Sequence, residues 1–139
     1  MGWHQIASLV AAICAAVHVL FAYKETLGWT REFVHKAAPS WIEGLDNDLA
    51  KKHIFWATRL AFNVGAYNLM LAVGLAWTCW AFIQQPALAG MLAIFFAIWM
   101  LAAAAAALHT QVLLAAKVQG GLGLVLLLTA VAFLRLGGI

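Results

Sequence analysis

The side chains able to take part in chemistry are few in this sequence, and two of them are His18 and Glu25. They lie seven residues apart, which is about two turns of a helix and places them on the same face. An imidazole beside a carboxylate can exchange protons with a substrate. His18, Glu25 and Tyr67 are therefore the catalytic candidates of an enzyme. An ion pair of Glu25 with Lys24 or Arg31 is the favoured alternative.

A second polar group has the spacing of one helix face. Arg59, Asn63 and Tyr67 follow one another at intervals of four residues, and residues so spaced are neighbours on a helix surface. Asn68 lies about 100° further round, on a stripe of small side chains suited to close helix packing. The stripe consists of Ala61, Gly65 and Ala72. We therefore expect Asn63 and Tyr67 to face a pocket and Asn68 to form a hydrogen bond between helices.

The full set of predicted ligand-binding residues takes in side chains from the later part of the chain as well. It consists of Arg59, Asn63, Tyr67, Asn68, His109 and Gln119. Purely structural hydrogen bonding inside a helix bundle is the alternative for the asparagines and the tyrosine, because membrane bundles use such side chains to hold helices together.

Four uncharged, apolar runs must position these side chains. Each is close to the length at which a helix crosses a hydrocarbon layer about 30 Å thick. Of the 139 residues, 66% are hydrophobic and 9% charged, which leaves little polar sequence to cover buried helices in water. The runs are Trp3–Ala22, Ala61–Ile83, Ala87–Leu108 and Val118–Leu134. The predicted fold class is an all-α integral membrane protein, a bundle of four transmembrane helices in a single domain, residues 1–139.

The longest connection, residues 23–58, joins the first run to the second. Within it, Ser40-Trp41-Ile42-Glu43 has the form of a capping box. An apolar stripe follows, made of Trp41, Ile42, Leu45 and Leu49. This pattern predicts a short interfacial helix on the membrane surface. From Leu49 to Arg59 the sequence predicts a helix that continues into the second span.

The distribution of charge predicts an orientation. Most basic side chains lie in the long connection, Lys117 lies in the connection between the third and fourth runs, and Gln84-Gln85-Pro86 carries no charge. The positive-inside rule then places the long connection in the cytoplasm and both termini outside. The polar residues of the helices fall in the cytoplasmic half, which predicts a pocket open to that side. Interleaved acidic residues exclude a nucleic-acid surface.

Neither a metal nor a cofactor is predicted. The alternative is a haem b group. His18 and His109 lie near the cytoplasmic ends of their runs, and two imidazoles so placed would suit haem b as axial ligands. The sequence contains no CxxCH motif, and no third nitrogen or thiolate ligand falls at that depth to complete a metal site. Cys14 and Cys79 are predicted to be free, because antiparallel helices place them at different depths.

Three local motifs together resemble one family. His18-Val19-Leu20-Phe21-Ala22-Tyr23-Lys24-Glu25 is similar to a first helix ending in an aromatic-rich YxE pattern, Asn63-Val64-Gly65-Ala66-Tyr67-Asn68 to an NQGxYNG motif, and Gln119-Gly120-Gly121 to a QGG opening of the last helix. In this order and spacing the chain resembles the small bacterial four-helix membrane proteins grouped as domain of unknown function 1304. It departs from the family pattern at Val64, Leu69, Leu113 and Leu114. The resemblance implies the architecture and one constellation, His18, Glu25, Asn63, Tyr67, Asn68 and Gln119, but no activity.

The one-sided polar cluster favours a small inner-membrane protein whose cytoplasm-facing pocket binds a lipophilic or amphipathic small molecule. Membrane lipids are the other predicted partners, and a homo-oligomer is an option. A membrane enzyme of the isomerase or rearrangement type is the first alternative, since His, Glu, Tyr and Asn side chains together supply a base, an acid and an oxyanion partner. An oligomeric transporter or channel is the second, because four helices are few for a pathway within one chain.

Overall fold

The structure, a computed structural model, describes residues 2–28, 43–109 and 112–136. These residues form four α-helices: α1 (Trp3–Tyr23), α2 (Asn47–Gln84), α3 (Pro86–His109) and α4 (Leu113–Leu136). A π-helical turn, Lys24–Gly28, follows α1 directly. Each of the four helices is long and apolar enough to cross a membrane. The prediction of an all-α protein with four such helices is confirmed.

Helix α2 begins well before the apolar run that it contains. It is 38 residues long, about 57 Å at 1.5 Å per residue, and so exceeds the thickness of a hydrocarbon layer. Its start is fixed by Asp46, whose Oδ1 accepts hydrogen bonds from the backbone N–H groups of Asp48 (3.0 Å) and Leu49 (2.8 Å), the arrangement of an N-cap. Gly44, with φ of 82°, turns the chain just before this cap. The predicted helical continuation from Leu49 into the span is confirmed.

The predicted interfacial helix falls largely outside the described residues, which do not include Ser40, Trp41 and Ile42. Residues 43–46 form a turn and a bend, and Leu49 belongs to α2 itself. A short interfacial helix therefore stays a prediction for the undescribed part of the connection only.

The chain forms two compact units, and α1 and α2 each contribute to both. The first unit comprises Met1–Ala16 and Leu71–Ile139. Its helices approach closely because many of their contact positions hold alanine or glycine. At Gly123 of α4, for example, a Cβ atom would lie 3.1 Å from Met100 Cβ and 3.2 Å from the Ala97 carbonyl oxygen of α3. Phe82 of α2 and Phe133 of α4 meet edge to face with ring centroids 5.0 Å apart, a favoured aromatic geometry.

The second unit comprises Val17–Met70. It contains the end of α1, the π-helical turn and the first part of α2. Most of the residues predicted to carry function belong to this unit. The described cysteines, Cys14 and Cys79, belong to the first unit, and no disulfide bond joins them.

Candidate functional site

A hydrogen bond joins the π-helical turn to α2. The Asn68 side-chain amide donates from Nδ2 to Glu25 Oε2 at 2.5 Å. Asn68 is buried and Glu25 is half-buried. The prediction that Asn68 forms a hydrogen bond between helices is confirmed. Glu25 pairs with this amide rather than with Lys24, and Arg31 lies outside the described residues.

The backbone conformation around Glu25 is unusual. A π-helical turn is rare, and in many proteins such turns occur at functional sites. Here it runs from Lys24 to Gly28, and the Thr26 hydroxyl donates to the Ala22 carbonyl oxygen at 2.6 Å. This bond satisfies a carbonyl group at the end of α1, where helical carbonyls lack partners within the helix.

Gly65 permits the close approach that brings Asn68 to Glu25. A Cβ atom at Gly65 would lie 2.5 Å from Thr26 Cγ2 and 3.1 Å from both the Ala22 carbonyl oxygen and the Thr26 backbone nitrogen. Two of these three atoms belong to backbone and cannot rotate away. Gly65 and Asn68 are one turn apart on α2, so the same buried stripe supplies the contact and the hydrogen bond.

His18 is the most buried polar residue of this unit. Its side chain is 0% exposed, and its ring meets that of Phe21 edge to face at 5.9 Å. The surroundings of the imidazole are therefore apolar in part, as expected for a histidine in the interior of a helical protein.

Arg59, Asn63 and Tyr67, which we call the polar face of α2, lie on one side of that helix. All three are exposed, and Tyr67 is 70% exposed. The Arg59 guanidinium lies 4.4 Å from the centroid of the Phe55 ring, a cation–π contact. No hydrogen bond or ion pair joins the three polar groups to any other described residue. The sequence correctly predicts that these three residues share one face of α2. In the structure, this face is exposed.

A cavity of about 660 Å³ lies beside this part of the helix. Its lining among the described residues consists of Trp56, Thr58, Arg59, Leu60, Phe62 and Asn63. All of them come from two turns of α2, so the described residues form one wall of this cavity. The predicted pocket residues Arg59 and Asn63 line it, while Tyr67 lies one turn further along.

The remaining predicted residues belong to the other unit. His109 is exposed at the end of α3, and Gln119 is buried in α4. Gly120, next to Gln119, faces α3, where a Cβ atom would lie 3.3 Å from Ala104 Cβ. The constellation predicted from the sequence is thus divided: His18, the hydrogen-bonded pair Glu25 and Asn68, and the exposed Asn63 and Tyr67 belong to the second unit, whereas Gln119 belongs to the first. Within the described chain no group of three His, Cys, Asp or Glu side chains could hold a metal ion.

The contacts of three further residues were not predicted from the sequence. Thr26 acts through a local hydrogen bond, and Phe55 through its position four residues before Arg59, a spacing that is a usable signal on a helix. Ser8 donates to the Cys79 carbonyl oxygen at 3.2 Å, and its Oγ lies 3.1 Å from Cys79 Sγ. No sequence signal identifies that contact, because its residues are 71 positions apart.

The model of one protein family matches residues 12–131 of this chain; the family is described as protein of unknown function DUF1304. The chain belongs to this family. The matched range contains Glu25, Asn68 and the polar face of α2, so these features lie inside the region that the DUF1304 model describes. No curated protein and no solved structure matches the chain.

Proposed function

We propose that this DUF1304 protein is a multi-pass protein of the bacterial inner membrane that binds a lipophilic or amphipathic small molecule. The binding surface is the polar face of α2, at the cytoplasmic side. The observation that carries the proposal is the exposure of Asn63 and Tyr67 within an uncharged stretch of a helix able to span a bilayer.

Exposure of these groups has an energetic consequence. A polar group in hydrocarbon without a hydrogen-bonding partner costs about 2–7 kcal/mol, depending on the reference state. Asn63 lies about 6 Å and Tyr67 about 12 Å along the helix from Arg59, at 1.5 Å per residue. Neither side chain is hydrogen-bonded to another described residue, so a molecule with its own polar groups would lower the free energy by binding there.

The side chains of the polar face extend in one common direction along the helix. On a helix the Cα–Cβ bonds tilt towards the N-terminus, and long side chains extend in the same direction. The Tyr67 ring therefore leans towards Asn63, and Asn63 leans towards Arg59. A ligand with a charged or polar head at Arg59 and an apolar remainder along Tyr67 matches this arrangement.

The bond between Asn68 and Glu25 has a positioning role in this proposal. Asn68 follows Tyr67 directly and lies about 100° away around α2. Its hydrogen bond to Glu25 fixes the rotation of α2 about its own axis within the second unit. That rotation determines where the polar face points.

Native mass spectrometry of protein purified in mild detergent tests the proposal. We expect a stoichiometric bound compound on the unaltered protein and its loss from the double variant Asn63→Ala, Tyr67→Phe. Leu69→Ala is the matched control, since Leu69 is a half-exposed apolar residue of the same helix. Empty protein throughout, or a compound retained equally by the double variant and the control, would refute binding at this face.

An enzyme acting on a membrane-soluble substrate is the second candidate, favoured by the half-buried Glu25 carboxyl group on a π-helical turn. In its haem form, His18 and His109 would be the candidate iron ligands. An optical spectrum decides that form. A Soret band that is lost in both His18→Ala and His109→Ala supports it, and a colourless protein purified from haem-replete cells rules it out.

The orientation part of the proposal has both termini outside and Lys117 inside, as the positive-inside rule indicates. Asn47 and Gln85, at opposite ends of α2, are both exposed and suit single cysteine substitutions in a background that lacks Cys14 and Cys79. The cysteine at position 85 should react with a membrane-impermeant thiol reagent on spheroplasts, and the one at position 47 only after lysis. The opposite labelling pattern would invert the topology and place the polar face on the periplasmic side.

A further inference from the structure

The polar face of α2 continues in both directions along the helix. Lys52 and Trp56 precede Arg59 at the spacing of one helix side, and Met70 follows Tyr67. At about 100° per residue, all six side chains fall within a sector about 80° wide. All six are exposed, Trp56 by 65% and Met70 by 70%. We call Lys52, Trp56, Arg59, Asn63, Tyr67 and Met70 the extended face of α2.

From this extended face we infer that the bound molecule is an anionic glycerophospholipid. The inference rests on the proposed function and names the class of its ligand. The phosphate group lies between Lys52 and Arg59, the ester region lies along Asn63 and Tyr67, and the acyl chains run past Met70.

The axial spacing matches one leaflet of a bilayer. Met70 lies eleven positions after Arg59 in the sequence, which is a rise of about 16 Å along the helix at 1.5 Å per residue. Half of a hydrocarbon layer about 30 Å thick is about 15 Å. With the Arg59 backbone at the edge of the hydrocarbon layer, from which its long side chain reaches the phosphates, Met70 therefore lies near the midplane, where acyl chains end. Trp56 is then in the headgroup layer that indole rings prefer.

The charges at the head of the face are available to a ligand. Neither Lys52 nor Arg59 forms an ion pair with a carboxylate of any described residue. The Phe55 ring, 4.4 Å from the centre of the Arg59 guanidinium, restricts the orientation of that planar group. A guanidinium so held can donate two parallel hydrogen bonds to a phosphate. The acidic residue on this side, Asp48, lies one turn before Lys52 and away from the membrane-spanning stretch.

Two other occupants fit the extended face less well. A second copy of the chain, packed by two-fold symmetry on this face, would set Lys52 and Arg59 near their own symmetry mates, and like charges across an interface are unfavourable. A small soluble anion would leave Tyr67 and Met70 uncovered. A molecule with an anionic head and an apolar tail complements both ends.

The inference is tested on the full chain in nanodiscs of phosphatidylcholine containing a minor fraction of phosphatidylglycerol. After mild detergent extraction, native mass spectrometry counts the phosphatidylglycerol molecules that remain bound. Lys52→Gln and Arg59→Gln should each weaken retention about fivefold or more, and together more strongly, because a charge-assisted contact to phosphate is lost. Arg59→Lys should recover part of the Arg59→Gln effect.

Lys51→Gln is the matched control. Lys51 is exposed, carries the same charge and adjoins Lys52, but lies about 100° away around the helix. General attraction of basic residues to an anionic membrane would make the Lys51→Gln and Lys52→Gln effects equal, and that result would overturn the inference. Thermal unfolding midpoints in phosphatidylcholine alone verify that all variants fold equally.

Two further measurements distinguish a failure of this inference from a failure of the proposed function. Inorganic phosphate at millimolar concentration should not displace the lipid, and displacement would show a site for a free anion instead. If every charge variant retained phosphatidylcholine and phosphatidylglycerol equally, the inference that the bound lipid is anionic would be overturned. Loss of either lipid from the double variant Asn63→Ala, Tyr67→Phe would still support the proposed binding of an amphiphile. Retention of no lipid at all would overturn both.

Discussion

Replacement of Gly65 by alanine is the sharpest test of how α1 and α2 meet in the second unit. The new Cβ atom would lie 2.5 Å from Thr26 Cγ2 and 3.1 Å from two backbone atoms, whereas carbon atoms in contact prefer about 3.5–4.0 Å. Thr26 can change rotamer, but the backbone of Ala22 and Thr26 must move by several tenths of an ångström. Such overpacking costs about 1–3 kcal/mol.

The hydrogen bond one turn away adds to this cost. If the helices separate at Gly65, the bond from Asn68 to Glu25 lengthens, and side-chain hydrogen bonds of this kind in membrane proteins average about 0.6 kcal/mol. Alanine returns about 1 kcal/mol through its higher helix propensity. The net loss in free energy of unfolding is therefore about 0.6–2.6 kcal/mol.

Gly121→Ala supplies a control in which the propensity gain stands alone. No heavy atom lies within 4 Å of the Cβ position at Gly121, so this variant should be neutral or slightly more stable. The difference between the two glycine variants, in which propensity cancels, should be about 1.6–3.6 kcal/mol. Reversible unfolding in mixed micelles, followed by tryptophan fluorescence, measures it.

A double variant identifies the responsible contact. Thr26→Ser removes Cγ2 and keeps the hydroxyl group that bonds to the Ala22 carbonyl oxygen. The pair Gly65→Ala, Thr26→Ser should be more stable than the sum of the single effects predicts, as expected for residues in contact. If Gly65→Ala were tolerated as well as Gly121→Ala, the close approach of α1 and α2 would be refuted.

The remaining predictions concern other fixed points of the helices. Asn68→Leu should lower the free energy of unfolding by about 1–3 kcal/mol because Glu25 loses its donor, and Glu25→Gln, which keeps an acceptor, should cost less; equal effects would argue against this bond. Asp46→Ala should cost about 1 kcal/mol at the start of α2, seen as faster amide exchange confined to its first turn. Gly74→Ala places a Cβ atom in steric overlap with the Cζ edge of the Phe96 ring and should cost about 1–3 kcal/mol, with partial recovery in Phe96→Leu; a silent Gly74→Ala would contradict that packing.

The sequence predicted the helices better than their limits. Hydropathy identifies the part of a helix that lies in hydrocarbon, so the second span was predicted from Ala61. The charged residues before it, such as Lys52, are compatible with a helix in water, and α2 begins at Asn47. Helix propensity and the Asp46 cap indicate this earlier start of α2, whereas hydropathy does not.

Within the site, local periodicity succeeded and long-range pairing failed. The placement of Asn68 on a stripe of small residues predicted its role correctly, because periodicity places residues on faces of a helix. The partner of Glu25 could not be predicted, since it is 43 residues away along the chain. The π-helical turn was also hidden, because no local sequence pattern distinguishes it from a continued α-helix. For Asn63 and Tyr67, periodicity predicted a shared face of α2 but not whether that face is buried or exposed. In a membrane protein, side-chain polarity alone does not determine this.

In the proposed function, two faces of α2 have different roles, one in folding and one in binding. Gly65 and Asn68 lie on the buried side and fix the helix against α1 and its π-helical turn. The polar face lies on the exposed side; it forms no hydrogen bond or ion pair with another described residue, and the Arg59 guanidinium stacks on Phe55 of the same helix. Variants of Asn68 should therefore lower stability and ligand retention together, because the rotation of α2 is lost. Variants of Asn63 and Tyr67 should lower retention while the unfolding free energy is kept, and this separation is what distinguishes a binding face from hydrogen bonding that only holds the helices together.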